Sequence, residues 1–230
     1  MVFSPRNFWG RLALTSSGLA RFVIVLAGMM TIFMAVGGPL QVSAKSPVVK
    51  QQLPDPLADK RMLTRLASGT VRYFKYPEKI KAPINVDFYD EKGKKHSLSE
   101  WRGKTVLLNF WAPWCDACRR ELPALQNLRT RLDAQKFEVV IINIEADAKK
   151  GRAYLDKLGI KNIASMLDKD NAALKKLSAI GIPTNILIDC HGRELGRLRG
   201  SAVWHADAAI LLTKGLMRAS GCYNDKRELL

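Results

Sequence analysis

Residues 107–122, "LLNFWAPWCDACRREL", decide how the rest of the chain is read. An uncharged apolar run ends in Trp114-Cys115, and Cys118 follows three residues later, where the pattern turns helical. A run apolar almost without break is what a strand covered on both faces requires. Cys115 then stands at a helix start, where unpaired N–H groups and the positive end of the helix dipole favour a thiolate. Cys118, one turn further in, has the place of a resolving thiol. The C-x-x-C spacing fits either a metal clasp or a reversible disulfide. A structural zinc site needs two more ligands, and His96, His191 and His205 form no ligand-spaced pair. That favours the disulfide, with no metal and no cofactor.

Outward from this stretch, strands and helices alternate. "INVDFYD" (84–90) alternates apolar and polar, "EKGKK" reads as a turn, and "FEVVIINIEA" (137–146) reads as a second buried strand. A helix is expected from Cys115 to about Asp133, kinked at Pro123. "AKKGRAYLDKLG" reads as a helix closed by Gly159. A short strand near Ile163, a helix near 172–178 and "GIPTNILID" (181–189) follow. "DCHGRELGRLRG" (189–200) reads as a hairpin turn and an edge strand. "VWHADAAILLTKGLMRA" (203–219) reads as an amphipathic helix with Trp204, Ala208, Leu212 and Leu216 on one face. The pattern predicts an α/β domain over 84–222 with a mixed central sheet flanked by helices, followed by a tail at 223–230. Residues 45–83 read as a linker and N-terminal extension.

The front of the chain is different. Arg6, Arg11 and Arg21 precede "FVIVLAGMMTIFMAV" (22–36), and "GGPLQVSA" ends at Ala44. A basic start, an apolar core and a small-residue ending make residues 1–44 a signal peptide. The uncharged stretch 22–44 is also long enough for a retained membrane anchor. In both cases residues 45–230 are expected across the membrane, in the periplasm. There the four cysteines, Cys115, Cys118, Cys190 and Cys222, suggest two disulfides. The 230-residue chain is 47% hydrophobic and 25% charged, as in an ordinary globular protein. Its net charge of +16 is spread over helices and turns without interleaved aromatics. Solvated faces are therefore expected rather than a nucleic-acid site, with attraction to an anionic membrane or acidic partner left open.

The segment "NFWAPWCDACRRELPAL", taken with "HSLSEWRGK" before it and "GIPTNILID" and "HGRELGRLRG" after it, resembles the exported TlpA/ResA-like thioredoxin-fold thiol–disulfide oxidoreductases. The resemblance covers about residues 84–220. It implies a thioredoxin-like fold with an extra helix–strand insertion between the Cys-x-x-Cys helix and the cis-proline strand. It also implies Cys115 as nucleophile, Cys118 as resolving cysteine, and a cis-proline at Pro183 that leaves the Ile182 backbone free for a substrate strand. The implied activity is reduction of partner-protein disulfides, in cytochrome c maturation or copper-site assembly, by a monomer recharged by a membrane electron donor. A copper chaperone using the same cysteines, or an oxidase running the reaction backwards, are the rivals.

Some residues depart from the family pattern or leave alternatives. Asn109 stands where thioredoxins carry a buried aspartate, so a proton relay needs another group. Glu121, three residues after Cys118, is either that acid–base helper or a surface glutamate paired with Arg119, Arg120 or a lysine. Asp116 is expected to repel the Cys115 thiolate and make the pair more reducing. Pro113 and Trp114 flank the thiol, either as a substrate contact surface or as simple packing. The strand from Arg193 runs out at roughly 3.3 Å per residue and the last helix returns at roughly 1.5 Å per residue. Cys222 should therefore come back to the level of Cys190 and pair with it, the alternatives being free thiols or a bond to another chain.

Overall fold

The computed structural model describes residues 53–145 and 147–223. The leader expected over 1–44 and the tail from 224 lie outside the described residues. Strand β3 (Thr105–Trp111) is buried at all seven positions. It runs parallel to β4 (Phe137–Asn143), which runs parallel to β5 (Ala164–Leu167). On the other side of β3, β6 (Thr184–Ile188) is antiparallel, and β7 (Glu194–Arg199) pairs antiparallel with β6. A hairpin of β1 (Asp87–Tyr89) and β2 (Lys95–Ser97) joins antiparallel to β5, giving the sheet order β2-β1-β5-β4-β3-β6-β7.

The two-residue period of the strands sorts the core into two layers. Leu107, Trp111, Val139, Ile141 and Leu187 face one side. Val106, Leu108, Phe110, Val140, Ile142, Ile186 and Ile188 face the other. Helices α1 (Lys60–Leu66), α2 (Asp116–Arg131), α3 (Ala148–Lys157) and α5 (Asp207–Ala219) cover the first layer. The short α4 (Ala172–Lys176) covers the second, beside Phe88 and Leu98. Each large apolar side chain buried this way contributes roughly 1.5–3 kcal/mol. Gly159, at φ +67°, ends α3 as its sequence position implies. Between α2 and β6 the chain forms β4, α3, β5 and α4 in turn.

Two sequence boundaries move. Residues 45–83 were expected to lie outside the domain, but from Leu57 onward they belong to its core. Leu57, Leu63, Val71 and Phe74 are buried in the first layer, and all described residues form one compact unit. The cause is a face of α5 that would otherwise be bare. Gly215 admits the Leu66 side chain so closely that a Cβ there would meet it at 2.7 Å. Lys75 also exchanges two backbone hydrogen bonds with Arg197, at 2.7 and 2.9 Å, and so covers part of the β7 edge. The last helix starts at Asp207 rather than 203, so Trp204 lies in the loop before it, and Ala209 is fully buried where Ala208 was expected. Trp204 stays outside the helix because its indole N–H is committed elsewhere.

Candidate redox site

β3 delivers the chain to the sheet end at Trp111, and α2 begins five residues later with Cys115 as its N-cap. The Cys115 sulfur accepts the Cys118 backbone N–H at 3.2 Å, so the helix start is held by the very atom that reacts. Cys115 and Cys118 form a disulfide with Cα atoms 5.3 Å apart. Cys115 keeps 9% of its surface exposed and Cys118 only 1%, an outer and an inner sulfur. The Ile182–Pro183 bond is cis, and Ile182 packs against the cluster that holds both cysteines.

Glu121 is not a surface residue. It is 2% exposed, on the inner face of α2, and none of Arg119, Arg120 or the lysines reaches it. Arg119 pairs with Asp116 instead. The Oε1 of Glu121 accepts from Trp204 Nε1 at 2.5 Å, Asn185 Nδ2 at 2.9 Å and the Ala202 backbone N–H at 3.0 Å. Its Oε2 accepts from Asn109 Nδ2 alone, at 3.1 Å. Burial pushes the carboxyl up from 4.5 to about 7, although all four hydrogen bonds pull it down. The acid is thus poised to gain or lose a proton near neutrality, one helical turn from Cys118. Asn109 Oδ1 has no partner among the described residues, which leaves an acceptor beside the less occupied Oε2.

The partners of Glu121 are what sequence reasoning missed. Asn109 and Asn185 lie directly opposite each other in register, and period two turns both toward α2. Each is the one amide in a buried strand whose other residues are apolar apart from a threonine at the first position, a signal that was available. Trp204 had been assigned to a helix face. Trp114 is 63% exposed, so simple packing does not describe it, while Pro113 is half-buried. Three of the exposed large apolar side chains, Trp114, Ile180 and Val203, belong to the segments carrying Cys115, Pro183 and Trp204.

The second cysteine pair sits at the other end of the sheet. Cys190 and Cys222 are joined, with Cα atoms 5.6 Å apart and a sequence separation of 32. Their sulfurs and His191 bring three metal-ligating atoms within 4.8 Å, but both sulfurs are already bonded to each other. Among the described residues no third such ligand gathers around Cys115 and Cys118.

A parallel-centred sheet, a helix capped by the first of two bonded cysteines and a cis-proline beside them define a thioredoxin-like domain. The chain belongs to the Redoxin family, whose model matches residues 77–210. It is 32% identical over 103 residues to the thiol-disulfide oxidoreductase ResA of Geobacillus kaustophilus, covering 45% of this chain and 59% of that one. Over 112 residues it is 30% identical to ResA of Bacillus subtilis, covering 49% and 62%. The match spans about three fifths of the length of these curated relatives. Among solved structures it resembles a thiol:disulfide interchange protein DsbE from Chlorobium tepidum, with TM-score 0.53 and 25% identity, covering 63% of this chain and 99% of that one.

Proposed function

We propose that the protein is a thiol–disulfide oxidoreductase that reduces disulfides of partner proteins. The observation carrying this is the Cys115–Cys118 disulfide at the start of α2 with a buried, near-neutral acid one turn behind it. In the reduced protein the Cys115 thiolate attacks one sulfur of the partner disulfide. The partner's S–S bond breaks, its other sulfur leaves as a thiolate, and a mixed disulfide forms. Cys118 then gives its proton to the Glu121 carboxylate and attacks the Cys115 sulfur. The partner's second thiolate is released, and two electrons have passed from the dithiol to the partner. Trp114 with Pro113 supplies apolar contact to the partner, and the Ile182 backbone before the cis bond pairs with its strand. Recharging takes two electrons from a dithiol donor in the membrane.

The relatives' names support the chemistry. The Cys190–Cys222 disulfide supports a compartment where disulfides persist, and with the leader reading it supports the periplasmic side of the membrane. Among the described residues no helix is long and apolar enough to cross a membrane; the anchor, where one is kept, is read from the uncharged stretch 22–44. A membrane-impermeant thiol reagent should label reduced Cys115 in intact spheroplasts; labelling only after lysis overturns the location. The direction of electron flow is tested by the equilibrium potential of the Cys115–Cys118 pair in the full chain. A value at or below about −200 mV fits a reductase, and one near about −120 mV means an oxidase.

A further inference from the structure

Helix α3 carries Lys150, Ala153, Tyr154 and Lys157 at positions that share one helix face. That face walls a surface recess of about 530 Å³, with Pro113 and Trp114 on the opposite side. The recess therefore begins one residue from the reacting sulfur of Cys115. Its apolar surface is the Trp114 indole and the half-buried Tyr154 ring, and the Arg119 guanidinium lies 5.3 Å from the centre of that ring. Its charged groups are Lys150, Lys157 and one carboxylate, Glu145. Lys150 reaches only the exposed Asp147, at 4.0 Å, and Lys157 makes no ion pair among the described residues. Two exposed ammonium groups above an aromatic floor make a surface whose complement is apolar and acidic.

We propose that this recess docks the stretch of a partner protein next to the cysteine being reduced, taking an apolar side chain between Trp114 and Tyr154 and an acidic one at Lys150 or Lys157. The proposal rests on the redox function above and adds the class of sequence selected. The seven steps from Lys150 to Lys157 rise roughly 10 Å along α3, about the length of three residues of extended chain. Carboxylates up to three residues apart in the partner can thus meet both lysines.

The test uses the reduced full chain and three synthetic peptide disulfides. Each has a leucine before its cysteine, with glutamate, glutamine or lysine placed both before that leucine and directly after the cysteine, three residues apart; hydroxyethyl disulfide is the substrate without flanks. At about 20 mM salt the glutamate peptide should be reduced about three- to tenfold faster than the glutamine one, the size expected of two exposed ion pairs, and the lysine peptide more slowly. The preference should shrink toward one at about 0.5 M salt. In Lys150→Gln/Lys157→Gln the glutamate-to-glutamine ratio should fall to about one. In Lys175→Gln/Lys176→Gln, an equal charge change on α4 across the sheet, the ratio should persist. Equal rates for the three peptides, or loss of the ratio in both double variants alike, overturn the docking site while reduction of hydroxyethyl disulfide leaves the redox function standing. No reduction of hydroxyethyl disulfide overturns the redox function, and the docking site with it.

Discussion

The antiparallel strands β3 and β6 carry a disulfide at each end. Phe110 pairs with Thr184 at the end that leads to Cys115, and Val106 pairs with Ile188 at the end that leads to Cys190. At the first end the bond closes a loop of three residues, caps a helix and has an exposed tryptophan on one side and a buried acid behind it. At the second end the bond spans 32 residues and ties the β6–β7 turn to the end of α5. There Cys190 is held by the backbone, its carbonyl accepting from Gly103 and its N–H donating to the Cys222 sulfur. The same covalent bond thus has opposite uses. A short loop adds little to the stability of the fold and can open at little cost, while a long loop constrains the unfolded chain and gains nothing from opening.

Breaking each bond in turn gives the largest contrast. Cys118→Ser should abolish turnover with a protein disulfide, a loss of about a thousandfold or more, and trap Cys115 with its partner as a mixed disulfide on a non-reducing gel. Cys190→Ala/Cys222→Ala should keep turnover but lower unfolding stability by about 3–4 kcal/mol in urea. Retained turnover in the first variant, or unchanged stability in the second, would reverse the assignment of the two ends.

Glu121 sharpens the contrast, because the buried acid beside Cys190, Asp189, is paired with the Arg193 guanidinium at 2.6 Å, whereas only neutral donors reach Glu121. Its carboxyl is raised from 4.5 to about 7 by burial, so the folded protein holds a proton that the unfolded chain releases. The stability this gives is fully present below about pH 4.5 and is lost as pH rises through about 7. The interval corresponds to about 3 kcal/mol. Glu121→Gln should therefore gain on the parent in stability as pH rises across that window. It should also lose the limb of the pH–rate profile near neutrality. A profile that overlays the parent's would leave Glu121 a structural residue only. Trp204→Phe removes one of the three donors to Oε1 and should move that limb upward by about one pH unit, since each charge-assisted bond favours the ionised form.

The outer parts of the site were legible because their signals are local. The C-x-x-C pair announces itself in four residues, and the apolar run Leu107–Trp111 places it at a strand end. The acceptor side of Glu121 was not legible, because it is assembled from β3, β6 and the loop before α5, whose residues lie 12, 64 and 83 positions from Glu121. No periodicity within any one segment shows which carboxylate those donors will meet. The N-terminal residues were misplaced for a related reason. Leu57, Leu63, Val71 and Phe74 are separated by lysines and arginines and look solvated until α5 and the edge of β7 are in place to receive them. Trp204 shows both effects at once, its amphipathic spacing fitting a helix while its indole N–H is held by an acid on another element.

Asp116 gives the smallest effect, and its place in the structure sets the size. Between the cysteines, in the first turn of α2, a carboxylate repels a thiolate on Cys115 and raises its pKa. The side chain, however, is largely exposed and paired with Arg119, so water and the guanidinium both weaken its field at the sulfur. Asp116→Asn should therefore lower the Cys115 thiol pKa by only a few tenths of a pH unit, read by thiolate absorbance in the reduced protein. The potential of the pair should become slightly less reducing. Arg119→Gln supplies the opposite arm. With the guanidinium gone the same carboxylate acts unopposed, and the thiol pKa should rise by more than Asp116→Asn lowers it. Equal and opposite shifts would mean that Arg119 acts on the sulfur directly, and no shift in either would confine the control of Cys115 to the helix start and Glu121.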